Sequence, residues 1–310
     1  MSAEIPNRLV FIWFGSTFSY SQLLAVRSAV RTCRPDETLI VNEGLSVDAP
    51  NVGAALREDG VRLVDAGVDW FHGVPRGEVA AELYDRLESP AARANLLRLA
   101  VLHREGGVYL DFDTLTVRDL APLRAQPGFC GLEHVTMPHG RPTSWRGRLS
   151  TRALQKLRGA CARSRSGVSA FERIERWYPR AVNNAVLGLA PGSALAVEAF
   201  QTIAELPMER RHVRFALGTH LLQQLTGNRS RPDVTVYPPP YFYPLGPRLS
   251  AHWFRARSSE DWRSWIRDET HVLHWYASNE QELADEIDRA WVRRHAGQIP
   301  FATLAAPFAD

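Results

Sequence analysis

The run Gly106-Gly107-Val108-Tyr109-Leu110-Asp111-Phe112-Asp113 constrains this chain more than any other stretch. Two glycines lead into an apolar strand, and two carboxylates close it. With a strand's period of two, Tyr109, Asp111 and Asp113 share one face, and Val108, Leu110 and Phe112 take the other. Two carboxylates held together at the end of a hydrophobic strand are costly without a cation. Carboxylates are hard oxygen donors suited to Mg²⁺ or Mn²⁺, and such sites leave positions for substrate phosphates. Asp111 and Asp113 therefore predict a metal–diphosphate site. Taken alone, the triplet reads more readily as a solvated strand end carrying two acids.

The preceding segment adds to this. Ser89-Pro90 is a hydroxyl cap followed by proline at the first helical position, and the spacing predicts a helix over 91–104 that stops at Gly106-Gly107. Asn95 and Arg98 stand three apart on one face of it, while Leu96, Leu97, Leu99, Ala100 and Leu102 supply most of the buried side. An arginine beside a metal strand can pair with a phosphate oxygen in a low-dielectric cleft. Upstream, the apolar run Arg8–Phe14, closed by Gly15, reads as a buried parallel strand. Further strands are expected at 37–41 and 61–64, with helices at 21–32 and 52–58. Such alternation implies a parallel α/β sheet whose ligands sit at the carboxyl ends of its strands. Residues 234–247 read as an aromatic, proline-rich loop after a short strand. A last strand is expected at 270–276 and an amphipathic helix at about 280–294.

Composition enters mainly by exclusion. The chain has 310 residues, 45% of them hydrophobic and 23% charged, which excludes a disordered chain, a fibre or a disulfide-stapled miniprotein. Of its 37 basic residues all but one, Lys156, are arginine, so codon bias and phosphate recognition compete as explanations. The three cysteines, Cys33, Cys130 and Cys161, are far apart, with no metal-ligand spacing; a cytoplasmic setting is expected. Nothing at the amino end reads as a leader, and no 18 apolar residues run together, so no span is expected. Residues 141–180 carry eleven basic residues against two acidic ones, Glu172 and Glu175. That stretch suits either a solvated helical surface or recognition of an anionic acceptor or membrane surface. No nucleic-acid motif accompanies the charge, and nucleic acid is not expected as a partner.

The segment AARANLLRLAVLHREGGVYLDFDTLTVRDL closely resembles the sugar-nucleotide site of DXD glycosyltransferases of GT-A fold. The nearest resemblance is to the yeast initiating α-1,6-mannosyltransferases and bacterial capsular polysaccharide transferases; the catalytic domains of large glucosylating toxins are similar too. IPNRLVFIWFG resembles the family's opening strand, NNAVLGLAPGSAL its Asn-Asn-Ala segment and HVLHWYAS its closing motif. The resemblance implies a Rossmann-like mixed sheet flanked by helices, with helical and loop insertions, in one domain over 1–310. Residues 1–120 would form the nucleotide-sugar half, and 121–310 the acceptor side and closing segment.

By the same resemblance, Asp113 binds Mn²⁺ (or Mg²⁺) directly, Asp111 reaches the donor ribose and the metal's waters, and His274 is an extra ligand. Arg98 and Asn95 act at the diphosphate and sugar. Trp13, Phe14, Tyr109, Asn183, Asn184, Trp275 and Ser278 line the donor pocket. Asn95 departs from the family pattern, which carries aspartate there; an amide still accepts through its oxygen but without charge-assisted strength. The implied reaction is metal-dependent, retaining transfer of a hexose from a UDP- or GDP-sugar to a hydroxyl of a small-molecule, lipid-linked or glycan acceptor.

Three other readings compete with this one. A toxin-like protein glycosyltransferase shares the catalytic blocks. A degenerate sugar-nucleotide binder would fit Asn95, although both aspartates are intact. A haloacid-dehalogenase-type phosphohydrolase also ends a strand on Asp-x-Asp, but it needs a later lysine and acidic pair, and Lys156 lies in an arginine-rich helix.

Overall fold

A computed structural model describes residues 4–138, 144–207, 211, 216–227 and 231–310. Its centre is a seven-stranded sheet in the order β3-β2-β1-β4-β7-β6-β8. The strands are β1 (Arg8–Phe14), β2 (Glu37–Glu43), β3 (Val61–Asp65), β4 (Gly107–Leu110), β6 (Gly128–His134), β7 (Arg180–Leu189) and β8 (Thr235–Tyr237). A two-stranded sheet pairs β5 (Thr114–Thr116) with β9 (Val272–His274).

The first half follows the sequence closely. β1 pairs in parallel with β2 on one side and β4 on the other. Helix α1 (Tyr20–Cys33) starts at a capping box between Ser19 and Gln22, and α2 (Pro50–Leu56) begins on its proline. Helices α3 (Gly77–Arg86) and α4 (Pro90–Glu105) follow, α4 capped by the Ser89 hydroxyl. Alternation along β1 and β4 divides the core. Val10, Ile12 and Tyr109 join the cluster under α3, α4 and α7 (Ala194–Glu205), while Leu9, Phe11, Val108 and Leu110 join the one under α1 and α2. Each large apolar side chain so buried contributes about 1.5–3 kcal/mol. This two-sided burial explains why both strands read as unbroken apolar runs.

The sheet is mixed rather than parallel, because β7 runs antiparallel to both β4 and β6. The sequence expectation also overran three elements. β4 ends at Leu110, before the carboxylates, and the chain turns at Phe112-Asp113. The expected strand 270–276 shrinks to Val272–His274. The expected helix 280–294 splits into Gln281–Glu286 and Arg289–His295, because the Asp288 side chain accepts from Trp291 N–H and starts a new helix. Helices α5 (Trp145–Arg163) and α6 (Gly167–Ile174) form the insertion between β6 and β7. Arg141, the first basic residue of that stretch, lies outside the described residues.

Candidate active site

The order of the strands places a crevice above β1 and β4, since α1 connects β1 outward to β2 while β4 lies on the other side. Such a switch point is where open α/β sheets bind ligands. Trp13 and Phe14 end β1 there, and Asp111 follows β4 directly.

Tyr109 and Asp111 do point the same way: the Tyr109 hydroxyl donates to Asp111 Oδ1. Asp113 is brought in differently. The turn buries Phe112 against Phe11 and Phe18, with ring centroids 5.0 and 5.3 Å apart, and carries Asp113 over to the second sheet. In that sheet Thr114 lies opposite His274. His274 Nε2 is 2.9 Å from Asp113 Oδ1, Ala277 N–H donates to Oδ2 at 2.9 Å, and Trp275 N–H donates to the Asp113 carbonyl at 3.0 Å. One atom each of Asp111, Asp113 and His274 fall within 4.8 Å of one another. The clustering of both aspartates thus comes from a turn and a second sheet, not from one strand face.

Electrostatics divides the pair. Burial pushes the Asp111 carboxyl upward, with the neighbouring Asp113 adding to this and Arg98 opposing it. Burial also opposes ionisation of Asp113, yet the His274 charge, its hydrogen bond and the Ala277 N–H hold that carboxyl below its usual value. His274 is raised because Asp113 outweighs its burial. Two carboxylates and an imidazole form a donor set suited to Mn²⁺, and acceptable to Mg²⁺ through the carboxylates. Among the described residues His274 Nδ1 is buried with no hydrogen-bond partner, so one nitrogen of the ring stays unspent.

Arg98 is only 4% exposed. Its guanidinium donates to the Asn184 carbonyl, to the Tyr109 hydroxyl at 3.1 Å and to Asp111 Oδ1 at 3.4 Å, and lies over the Tyr109 ring at 3.9 Å. Asn184 Nδ2 donates to Asn95 Oδ1 at 2.7 Å, so α4 and β7 are tied together at both Asn95 and Arg98. Gly218 fits against this pair: a Cβ there would lie 2.7 Å from both amide nitrogens. Asn183 turns away, donating to Glu133 Oε1 at 2.9 Å.

The remaining expected residues divide. Trp13 is half-buried, its indole N–H donating to the Thr17 carbonyl at 2.9 Å, which leaves ring surface beside the crevice. Phe14 faces the Arg93 guanidinium at 4.6 Å, itself paired with Glu43. The Trp275 side chain is drawn into the core against Phe254 and Phe301, so its contact with the site is through its backbone. Ser278 is exposed. The sequence reading missed Glu133, which sits buried behind the site and also accepts from the Tyr276 hydroxyl at 2.7 Å. A lone carboxylate inside the apolar strand GFCGLEH was the available signal. Lys156, which a phosphohydrolase would require, is exposed on α5.

A family model described as the glycosyltransferase sugar-binding region containing a DXD motif matches residues 24–130, about a third of the chain. No curated protein matches the sequence. Among solved structures the chain is similar to PaToxG glycosyltransferase (13% identity, 72% of this chain and 69% of that one, TM-score 0.45). It is also similar to the ligand-free glycosyltransferase domain of the YGT toxin (11% identity, 65% and 62%, TM-score 0.36), spanning less than two thirds of that domain. A third likeness is to mouse xyloside xylosyltransferase 1 in its apo form (14% identity, 88% and 98%, TM-score 0.48). With Asp111-Phe112-Asp113 inside the matched region and placed at the switch point of a mixed α/β sheet, the chain carries a glycosyltransferase sugar-binding region with its DXD motif, the mark of an enzyme that uses a nucleotide sugar.

Proposed function

We propose that the protein moves a hexose from a UDP- or GDP-linked donor to a hydroxyl of a glycan, lipid-linked or small-molecule acceptor, with retention of anomeric configuration. The convergence of Asp111, Asp113 and His274 above β4 carries this reading. In it, Asp113 and His274 would hold Mn²⁺ or Mg²⁺, and Asp111 would reach the ion's waters and the donor ribose. The bound ion supplies Lewis-acid stabilisation of the charge on the departing diphosphate.

The chain's own residues do the positioning. Arg98 keeps Asp111 oriented and brings a fixed positive charge to the phosphate side of the crevice. Trp13 offers ring surface to the nucleobase, with Phe14 beside it. Asn95 and Asn184, locked to each other, face the donor sugar with amide groups rather than a carboxylate. Asn183 and Tyr276 brace that wall through Glu133. Trp275 contributes its backbone, and Ser278 lies at the rim. No protein nucleophile is invoked; the acceptor oxygen bonds the anomeric carbon from the face on which the bond to the diphosphate breaks, and the hydroxyl proton passes to the departing diphosphate. Residues 1–120 serve the donor in this scheme, and 121–310 the acceptor and the closing segment. The hexose follows from the resemblance to initiating mannosyltransferases and capsular transferases. The cytoplasm, where the buried free thiols Cys33, Cys130 and Cys161 stay reduced, is the proposed compartment.

A thermal-shift screen of nucleotide sugars with and without Mn²⁺ tests this. One donor should stabilise the protein in a metal-dependent way. Uniform silence across donors, or stabilisation indifferent to metal, would count against the site.

A further inference from the structure

The outer face of α5 has no counterpart in the donor chemistry. Between Ser144 and Phe171 the chain has seven basic residues and no acidic one. Helix geometry sorts them. Thr151, Arg158, Cys161 and Ala162 point inward, and Arg158 donates to the His134 carbonyl at 2.8 Å. On the opposite meridian stand Trp145, Leu149, Arg152, Lys156 and Arg163, all exposed. Trp145 is 69% exposed and Leu149 61%, among the few large apolar side chains left in solvent. Among the described residues, no carboxylate pairs with Arg152, Lys156 or Arg163. From Trp145 to Lys156 the stripe extends about 17 Å at 1.5 Å per residue.

A solvated surface helix ordinarily mixes charges of both signs and hides its tryptophan. This one combines cations with a tryptophan and a leucine on one stripe, the pattern of a helix lying in a membrane interface. The apolar pair separates the candidate occupants. A hydrated polyanion would neutralise the arginines but leave Trp145 and Leu149 in water. A bilayer with anionic headgroups takes both, the ring settling at headgroup depth. We propose that the outer face of α5 docks on an anionic lipid surface. The inner face ties this surface to the catalytic wall: His134, whose carbonyl Arg158 holds, directly follows Glu133, which braces Asn183. Docking through α5 would therefore set that wall beside the headgroup layer, where lipid-linked hydroxyls are found. Vesicle binding is a readout independent of the transfer reaction, so it stands or fails apart from the donor assignment.

The full chain would be co-sedimented with phosphatidylcholine vesicles with and without phosphatidylglycerol, over a salt series. Binding should require the anionic lipid and weaken as salt screens it. Arg152→Glu with Lys156→Glu should lower the vesicle partition coefficient about tenfold or more, and Trp145→Ser with Leu149→Ser should do so at constant charge. All four positions are exposed, so thermal melts should match the parent and separate docking from folding. No binding to anionic vesicles, or parent-like binding by both double variants, would overturn the proposal. Loss in the charge variant alone, with heparin displacing the parent, would assign the face to a polyanion instead and also overturn it.

Discussion

Helices α4 and α5 both draw their basic residues almost wholly from arginine, yet they use the residue in opposite ways. On α4 each arginine beyond the first turn's start has a partner. Arg93 pairs with Glu43 and lies over the Phe14 and Tyr84 rings, Arg98 holds Asp111 and the Asn184 carbonyl, and Arg104 donates to the Asp69 carbonyl. On α5 only Arg158 turns inward, to the His134 carbonyl and the Phe171 and Tyr178 rings, while Arg152, Lys156 and Arg163 stand in solvent. Composition is therefore silent about role. Burial and the partner decide, and burial is set by which face of each helix the sheet claims.

The largest effect should come where α4 meets the carboxylates. Asp113→Asn removes the charge that His274 and Ala277 N–H are placed to hold. Transfer should fall by about 10²–10³-fold or more, and metal-dependent nucleotide binding should go with it. Excess chelator should do the same to the parent. Full activity under either condition would erase the distinction between a chemical helix and a surface one.

Arg98 tests the same side through stability. Arg98→Met leaves Asp111 beside Asp113 without its cation and the Asn184 carbonyl without its donor. Removing one member of a largely buried charge pair costs about 2–4 kcal/mol here, the lower end reflecting the partly open Asp111. Denaturant unfolding would measure it. A loss no larger than that of a surface arginine would mean the α4 contacts are incidental.

How much of this could be read from the sequence differs between the two helices. The cap Ser89, the stop at Gly106-Gly107 and the apolar run of β4 are local signals, and α4 appears where they place it. Asn95 and Arg98 then share a face by spacing alone. The Asp113–His274 meeting was not legible from alternation, because it depends on a turn at Phe112 and a pairing 160 residues away in sequence, roughly. Resemblance to a family supplied His274; period two did not. Glu133 was missed because its partners, Asn183 within β7 and Tyr276 just past β9, are brought to it only by the fold. In the run 141–180, inward Arg158 and outward Arg152 look alike until Phe171 and Tyr178 pack against one of them.

Acid titration probes the inner face of α5. Burial, with the charges of Arg158 and Arg180, pushes His134 from its ordinary 6.5 down to about 4. The folded imidazole stays neutral while the unfolded one takes a proton, so stability should fall as pH drops from 6.5 to 4 and change no further through this group below that. The share due to His134 is about 2 kcal/mol after allowing for its partial exposure. His134→Gln should flatten that part of the stability–pH curve. An unchanged slope would mean that α5 packs more loosely on β6 than Arg158 and His134 indicate.

The smallest effect belongs to the outer face. Arg152→Glu with Lys156→Glu changes no hydrogen bond or ion pair among the described residues, and both side chains are exposed. Two acids placed among Arg148, Arg158 and Arg163 relieve like-charge repulsion slightly, an effect screened within about 8–10 Å at ordinary salt. The unfolding free energy should therefore shift by no more than about 0.5 kcal/mol, in either direction, whereas Arg98→Met moves it several times further. A shift as large as that of Arg98 would show that the exposed arginines of α5 already have work to do in the isolated fold, and the contrast between the two helices would disappear.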